Sequence, residues 1–383
     1  MTPDHDTAPV VGALRERPDE PRVALTPDSA VRLRAAGFAV LVEAGAGDRA
    51  WFADDDYAAA GVEVAPRAAV LERADAVACV APPVEEQALR RGQLLVGLLA
   101  PLVEPERMRR LAERGVTAVA FDTLPRTISR AQSMDALTSQ SNVAGYKAVL
   151  VAADAYGGFF PMLTTAAGTT RPAAVLVLGA GVAGLQAIAT ARRLGAVVSA
   201  FDVRDSGQSD ARSVGGTVLD VGVTLSTEGG YARVLTDEEQ ATVTEGLARA
   251  MSGFDVVVTT AQVPGRPPPL LLTADALARL RPGSVVVDGA AGDLGGNVEG
   301  SKPATTVVTD GGVTVVGAGD LAAQVPKAAS TAYARNVAAL LAYLTTDGRL
   351  ALDLDDEVQA GVVITHDGQV VHPAVRALLG GTA

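Results

Sequence analysis

The chain has a single cysteine, Cys79, among 383 residues, so no disulfide can form within it. That suits a reducing compartment, and a cytoplasmic location is expected. Aromatic residues make up only 4%, with one tryptophan. There is no excess of positive charge. Lys and Arg total 32 against 44 Asp and Glu, for a net charge of −12. Nucleic-acid binders need clustered cations, so this balance argues against nucleic acid and against direct attachment to anionic lipid. The longest apolar stretch, 173–191, is interrupted by Gly179, Gly181 and Gly184, so no membrane span of about 20 apolar residues is expected. The N-terminus is acidic and lacks an apolar h-region, so it does not read as a signal peptide. No repeat of solenoid length is evident. Histidine occurs only at His5, His366 and His372. The run Asp54-Asp55-Asp56 has neither a His partner nor Ca²⁺-loop spacing, and acidic residues suit a helix N-terminus without a metal. No metal site is expected.

Ala, Val and Gly are abundant, and 48% of the residues are hydrophobic. Short apolar runs at 10–14, 39–42, 76–80, 94–99 and 117–121 alternate with helical stretches such as 27–37 and 105–115. Cys79 falls inside one of these runs and reads as a buried strand residue. Alternation of this kind implies a parallel sheet covered by helices. Further strands are expected at 173–178, 196–201, 255–260, 284–288 and 313–316, with a short one at 219–221. The fold class is therefore α/β: two doubly wound parallel-sheet, Rossmann-like domains with a cleft between them. The first is expected to comprise 1–143 plus 328–383, with a C-terminal helix and hairpin returning to it, and the second 144–327. A long helix over 322–344 and a hairpin over 362–371, turning at Asp367-Gly368, belong to that return.

Gly179-Ala180-Gly181-Val182-Ala183-Gly184 follows a β-prone run and opens a helix, with Asp202 ending the next strand. Strand before, helix after and an acid about 20 residues on are the context of a dinucleotide fingerprint. The first glycine makes the tight turn, the second admits the pyrophosphate and the third lets helix and strand pack closely. The anion sits on the helix N-terminus. Asp202 is suited to adenosine ribose hydroxyls and repels a 2′-phosphate; Arg204 could offset that repulsion, but the simpler expectation is NAD(H) over NADP(H). Ala261 and Gln262 open a Pro-rich loop at a strand's carboxyl end, where such sheets bind ligands. Gly229-Gly230-Tyr231 reads equally as a flap over a ligand and as a surface loop.

Between the two halves lies a crowded polar run from Arg126 to Lys147. By itself it is compatible with a solvated helix start, capped by Ser133, and with a ligand site.

The chain resembles the soluble NAD(H)-binding component, domain I, of the proton-translocating NAD(P) transhydrogenases. The residues that carry the resemblance are Ser129 to Leu137, Asn142 to Lys147, Thr165 to Gly168, Val182 to Gln186, Phe201 to Arg204 and Thr259 to Ala261 with Pro264-Gly265. Asp367-Gly368 and Val371 to Ala374 add to it. The resemblance implies that Arg126, Gln132, Asp135 and Thr138 orient the nicotinamide carboxamide and ribose. Gln132 would also face an NADP(H)-binding component. Gly179, Gly181, Val182, Ala183, Gly184, Asp202, Val203, Arg204, Gly230, Tyr231, Ala261 and Gln262 would contact NAD(H). It further implies a homodimer docked on membrane-spanning and NADP(H)-binding subunits, hence peripheral to the cytoplasmic membrane.

Alanine dehydrogenases share this fold but need a Lys and a His near their substrate. The corresponding segments here, Val80-Ala81-Pro82-Pro83 and Gly97-Leu98-Leu99-Ala100, have neither. A non-catalytic NAD(H)-binding protein is the other alternative. Three segments depart from the transhydrogenase pattern: one extra residue beside Arg126, Gly289 to Asp293, and Gly317 to Ala322.

Overall fold

The computed structural model describes residues 8–225, 235–262 and 267–380. By their contacts they form two compact units, 1–140 with 325–383, and 141–324. The first begins with strand β1 (Val10–Ala13) and helix α1 (Pro27–Ala35). Thr26 and Ser29 form a reciprocal capping box at the start of α1, with Pro27 in its first turn. There follow β2 (Ala39–Glu43), α2 (Asp54–Ala59), β3 (Glu63–Ala65), α3 (Arg67–Arg73), β4 (Ala76–Ala78), β5 (Leu94–Gly97), α4 (Pro105–Glu113) and β6 (Thr117–Ala120). The strands form one parallel sheet in the order β3-β2-β1-β4-β5-β6. Both faces are packed with Val, Leu and Ala, which explains the near-continuous apolar strands.

The polar run is a 3₁₀ helix over Ser129–Met134 followed by α5 (Ala136–Ala155). The cap of α5 is Asp135 rather than Ser133. Asp135 accepts the Thr138 N–H at 2.8 Å, as an N-cap carboxylate does.

The second unit continues with an exposed hairpin, β7 (Leu163–Thr165) and β8 (Gly168–Thr170). Its sheet is built from β9 (Ala174–Leu178), α6 (Val182–Arg193), β10 (Val197–Phe201), α7 (Asp205–Ser213), β11 (Thr217–Val218), α8 (Asp237–Ala250), β12 (Val256–Thr259), α9 (Ala274–Ala278), β13 (Val285–Asp288), β14 (Thr305–Val308) and β15 (Thr314–Gly317). The strand order is β11-β10-β9-β12-β13-β15-β14, parallel except for the edge strand β14. Two sequence expectations shift here. The short strand lies at 217–218 instead of 219–221, because Gly222 turns the chain with Asp220 accepting its N–H. The antiparallel β14 has no distinctive sequence pattern: all four of its residues are exposed.

The chain then returns to the first unit through α10 (Pro326–Tyr343), which starts at Pro326 and not at 322. The hairpin β16 (Thr345–Thr346) and β17 (Arg349–Leu350), helix α11 (Glu357–Val362), the hairpin β18 (Thr365–His366) and β19 (Gln369–Val370), and α12 (Pro373–Leu378) complete it. Asp367 and Gly368 both have positive φ, as a two-residue hairpin turn of this hand requires. This last hairpin is anchored on β6: Ile364 donates to the Ala118 carbonyl at 2.8 Å, and the Ala118 N–H donates to Thr365 Oγ1 at 2.8 Å.

Candidate functional site

In the first unit, the structure gathers three of the four polar residues expected to act together. Arg126 Nε donates to Asp135 Oδ2 at 2.9 Å and its Nη2 donates to Thr138 Oγ1 at 2.6 Å. Thr138 Oγ1 donates in turn to Asp135 Oδ2 at 2.7 Å. The three side chains close a ring of charge-assisted hydrogen bonds in partly buried surroundings. Gln132 is not part of that ring. Its side chain is exposed and bonds to none of the described residues. Arg130 is committed elsewhere: Nε donates to Tyr343 Oη at 3.0 Å and Nη2 to Asp356 Oδ2 at 3.1 Å. The guanidinium on the Asp135 carboxylate is therefore that of Arg126, despite the extra residue beside it. The ring contains no His, Lys or Cys.

Two other groups of this unit are closed to chemistry. Cys79 is fully buried, and burial pushes its thiol up, so it is not a reactive thiolate. Arg22 is held by Glu20 through Nε and Nη2, each at 2.7 Å, and its Nη1 donates to Gln140 at 2.9 Å. Among the described residues no group of three His, Cys, Asp or Glu is placed to hold a metal ion.

In the second unit the glycine turn has the geometry its sequence implies. Gly179 has φ +97°, and a Cβ there would press on Thr260 Oγ1 and the Ala261 amide. A Cβ on Gly184 would lie 1.8 Å from the Gly179 carbonyl oxygen, so helix and turn touch backbone to backbone. A Cβ on Gly181 would meet nothing within 4 Å. The middle glycine therefore faces open space at the N-terminus of α6. There the N–H groups of Val182, Ala183 and Gly184 have no partner within the helix. A phosphate-sized anion fits that arrangement on both steric and dipolar grounds.

Asp202, at the end of β10, is buried. Its Oδ1 accepts from the Arg204 N–H at 2.8 Å and from Arg204 Nε at 2.9 Å. Its Oδ2 accepts from the Ala180 N–H and from Arg204 Nη2, each at 2.8 Å. The carboxylate thus ties the glycine turn to the end of β10, and all its usual acceptor positions are engaged. The sequence placed Asp202 at the strand end and marked Arg204 as an offset to its charge; the structure joins the two directly. Val203 is half-buried between them. Ala261 follows β12 and adjoins Gly179, while Gln262 is exposed. Gly230 and Tyr231 lie outside the described residues, as does 263–266 of the Pro-rich loop.

The polar run reaches this unit through its second half. A Cβ on Gly145 would lie 2.0 Å from the Ala183 carbonyl oxygen, so α5 packs directly on the first turn of α6. Asn142 Nδ2 donates to Gln186 Oε1 at 3.1 Å along the same contact.

Of the departing segments, that after Asp288 is a compact turn and that after Val316 continues from the end of β15. Residues 289–300 fold about Asp288, closed by reciprocal bonds between Gly292 and Gly295 at 2.8 and 3.0 Å. Gly317 packs on the backbone of Lys302, where a Cβ would come within 1.9 Å of its carbonyl oxygen.

Comparison with known proteins places this architecture. The model of the alanine dehydrogenase/PNT N-terminal domain matches residues 12–144, and that of the C-terminal domain matches residues 148–373. The chain belongs to the alanine dehydrogenase/PNT family. It is 43% identical over 373 residues to the NAD(P) transhydrogenase subunit alpha of Cereibacter sphaeroides, covering 95% of this chain and 71% of that one. It is 32% identical over 379 residues to the alanine dehydrogenase of Halomonas elongata, covering 94% of each. The crystal structure of a transhydrogenase from Sinorhizobium meliloti superposes with a TM-score of 0.85 at 40% identity, covering 94% of this chain and all of that one. Within the family, then, similarity is greater to these transhydrogenase chains than to that alanine dehydrogenase. Both family domains have the Rossmann-like α/β architecture seen here. No helix of the described residues is long and apolar enough to cross a membrane.

Proposed function

We propose that this chain is the component of a proton-translocating NAD(P) transhydrogenase that binds NAD(H) and positions it for direct hydride transfer to NADP⁺ on a partner subunit. The observation that carries this reading is the ring of Arg126, Asp135 and Thr138. Hydride transfer between two nicotinamides moves no proton, so it needs positioning and exclusion of water but no general acid or base. A ring of fixed donors and acceptors suits a carboxamide and ribose hydroxyls. Gln132, exposed and unengaged, has a free amide for the nicotinamide or for the partner's surface. Gly179, Gly181, Val182, Ala183 and Gly184 hold the pyrophosphate. Asp202, Val203 and Arg204 border the adenosine ribose, whose hydroxyls replace Arg204 on the carboxylate when the nucleotide binds, and the carboxylate disfavours a 2′-phosphate. Ala261 and Gln262 line the same nucleotide. The chain works as a homodimer at the cytoplasmic face, attached through membrane-spanning subunits.

The amino-acid dehydrogenase chemistry of related proteins is disfavoured by Val80 to Pro83 and Gly97 to Ala100, which carry no Lys or His. The decisive experiment mixes the purified chain with an NADP(H)-binding transhydrogenase component. NADPH-dependent reduction of an NAD analogue, in the presence of NADH, is expected. Normal NADH binding without exchange would leave a binding protein only, and turnover of alanine with NAD⁺ would overturn the proposal.

A further inference from the structure

Asp288 and Asn297 are fully buried polar residues to which no role in the reaction has been given. Asp288 ends β13. Its Oδ1 accepts from Thr259 Oγ1 at 2.9 Å, from the Ala290 N–H at 3.0 Å and from the Asn297 N–H at 3.3 Å. Its Oδ2 accepts the Val298 N–H at 3.2 Å. The carboxylate therefore folds the 289–298 turn back over the ends of β12 and β13. A Cβ at Gly296 would stand 2.3 Å from Oδ2, so only glycine leaves room for this close fold.

The turn delivers Asn297 to one place. Its Oδ1 accepts the Ala261 N–H at 3.1 Å, and its Nδ2 donates to the Ala261 carbonyl at 2.9 Å and to the Pro269 carbonyl at 2.8 Å. Its own carbonyl accepts the N–H groups of Leu271 and Leu272 at 2.8 and 3.0 Å. One amide side chain thus clasps both ends of the loop after β12, Ala261 at its start and Pro269 at its close. The start of that loop also abuts the phosphate-binding turn. Thr260 Oγ1 donates to the Gly179 carbonyl at 3.0 Å, and the Ala261 amide is the wall that a Cβ on Gly179 would strike.

We infer that Asn297 is a positioning residue for the dinucleotide site: it closes the neck of the 261–269 loop and fixes Ala261 against the glycine turn. The side chain required is specific. It must offer one acceptor and two donors from a planar fork, with no charge, in a fully buried site. Aspartate has the shape but loses both donors and buries a second carboxylate beside Asp288. Alanine leaves the Ala261 and Pro269 backbone groups without their partner. The inference rests on the proposed NAD(H) reading for its functional consequence, but the clasp itself does not.

The test uses the full-length chain with Asn297→Ala and Asn297→Asp, beside Met251→Ala as a control. Met251 is buried just before the opposite end of β12, where truncation costs core packing but no hydrogen bond to Ala261 or Pro269. Hydrogen exchange is read on peptides spanning 261–272, and NADH affinity by its fluorescence at a temperature where all variants are folded. Asn297→Ala should exchange faster at Ala261 and Asn297→Asp faster across the rest of 261–272, and both should bind NADH roughly tenfold or more weakly, the loss of one to two buried hydrogen bonds. Met251→Ala should keep parental affinity despite a lower melting temperature. Unchanged exchange in the 261–272 peptides would overturn the clasp. Equal loss of affinity in Met251→Ala would reduce Asn297 to a merely stabilising residue. If the parent chain itself binds no NADH, the functional reading falls, and the exchange measurement still decides whether Asn297 holds the loop.

Discussion

Gln132 and Glu16 make opposite demands on a single side chain. Gln132 is exposed and unengaged, so it contributes little to folding and is available to a ligand or a partner. Gln132→Asn is expected to slow hydride transfer by an order of magnitude or more while changing NADH affinity by less than about threefold. Single-turnover kinetics beside fluorescence titration reads both, and equal losses would remove Gln132 from the positioning role. Glu16 is buried after β1, where its carboxylate accepts the N–H groups of Val80 and Ala81. Burial pushes its carboxyl up from 4.5 to about 7, against the pull of those N–H groups and with Glu20 adding to the rise. The folded chain thus binds this proton more tightly than the unfolded chain. The resulting stabilisation is complete below pH 4.5 and is lost as pH rises through about 7. Glu16→Gln keeps the acceptor for Val80 and carries no charge. It should be more stable than the parent above pH 7, by an amount on the order of 2–3 kcal/mol, and should flatten the melting curve against pH between the two values. A parental pH dependence in the variant would assign the effect to another group.

At the scale of elements, the contact between α5 and the first turn of α6 is the most sensitive. Helix α5 carries the polar run at its start, and Gly145 lets it lie on the Ala183 backbone. Any Cβ at 145 must push the first turn of α6 aside, the turn whose N–H groups face the proposed pyrophosphate. Gly145→Ala should lower stability by about 1–3 kcal/mol and weaken NADH at the same time. Thermal melts with and without NADH would show both. A variant that melts early yet binds normally would show that α6 tolerates the shift. Position 145 falls in the sequence motif Asn142 to Lys147, and its steric reason could not be read there. The same holds for Asp135. The sequence put the helix cap at Ser133, and the pairing of Asp135 with Arg126 nine residues earlier depends on how the 3₁₀ turn at 129–134 brings the chain round.

As a whole, the molecule has two units, each with packed cores on both faces of its sheet. The fingerprint belongs to the second. NADH at about 100 times its Kd should stabilise the chain by about 2.7 kcal/mol. Calorimetry should record a rise of a few degrees in the transition of the second unit. NADPH at the same concentration should produce a smaller rise. Equal shifts with the two nucleotides would sink the selectivity assigned to Asp202. The proposed homodimer is tested by sedimentation, where a monomer at micromolar concentration would overturn it.

The sequence by itself determined the alternation of strands and helices, the glycine turn with Asp202 at the next strand's end, and the absence of Lys and His where amino-acid chemistry would need them. These are local properties: apolar period, turn chemistry and residue type are written within a few positions of where they act. Tertiary structure alone decided which polar groups meet. It closed Arg126 on Asp135 and Thr138, brought the Ala180 N–H onto Asp202, and brought Asn297 onto Ala261 from 36 residues away. Those pairings follow from strand order and from turns whose glycines admit backbone contact. A hydrogen bond between distant residues leaves no period in either segment, so nothing in the linear order announces it.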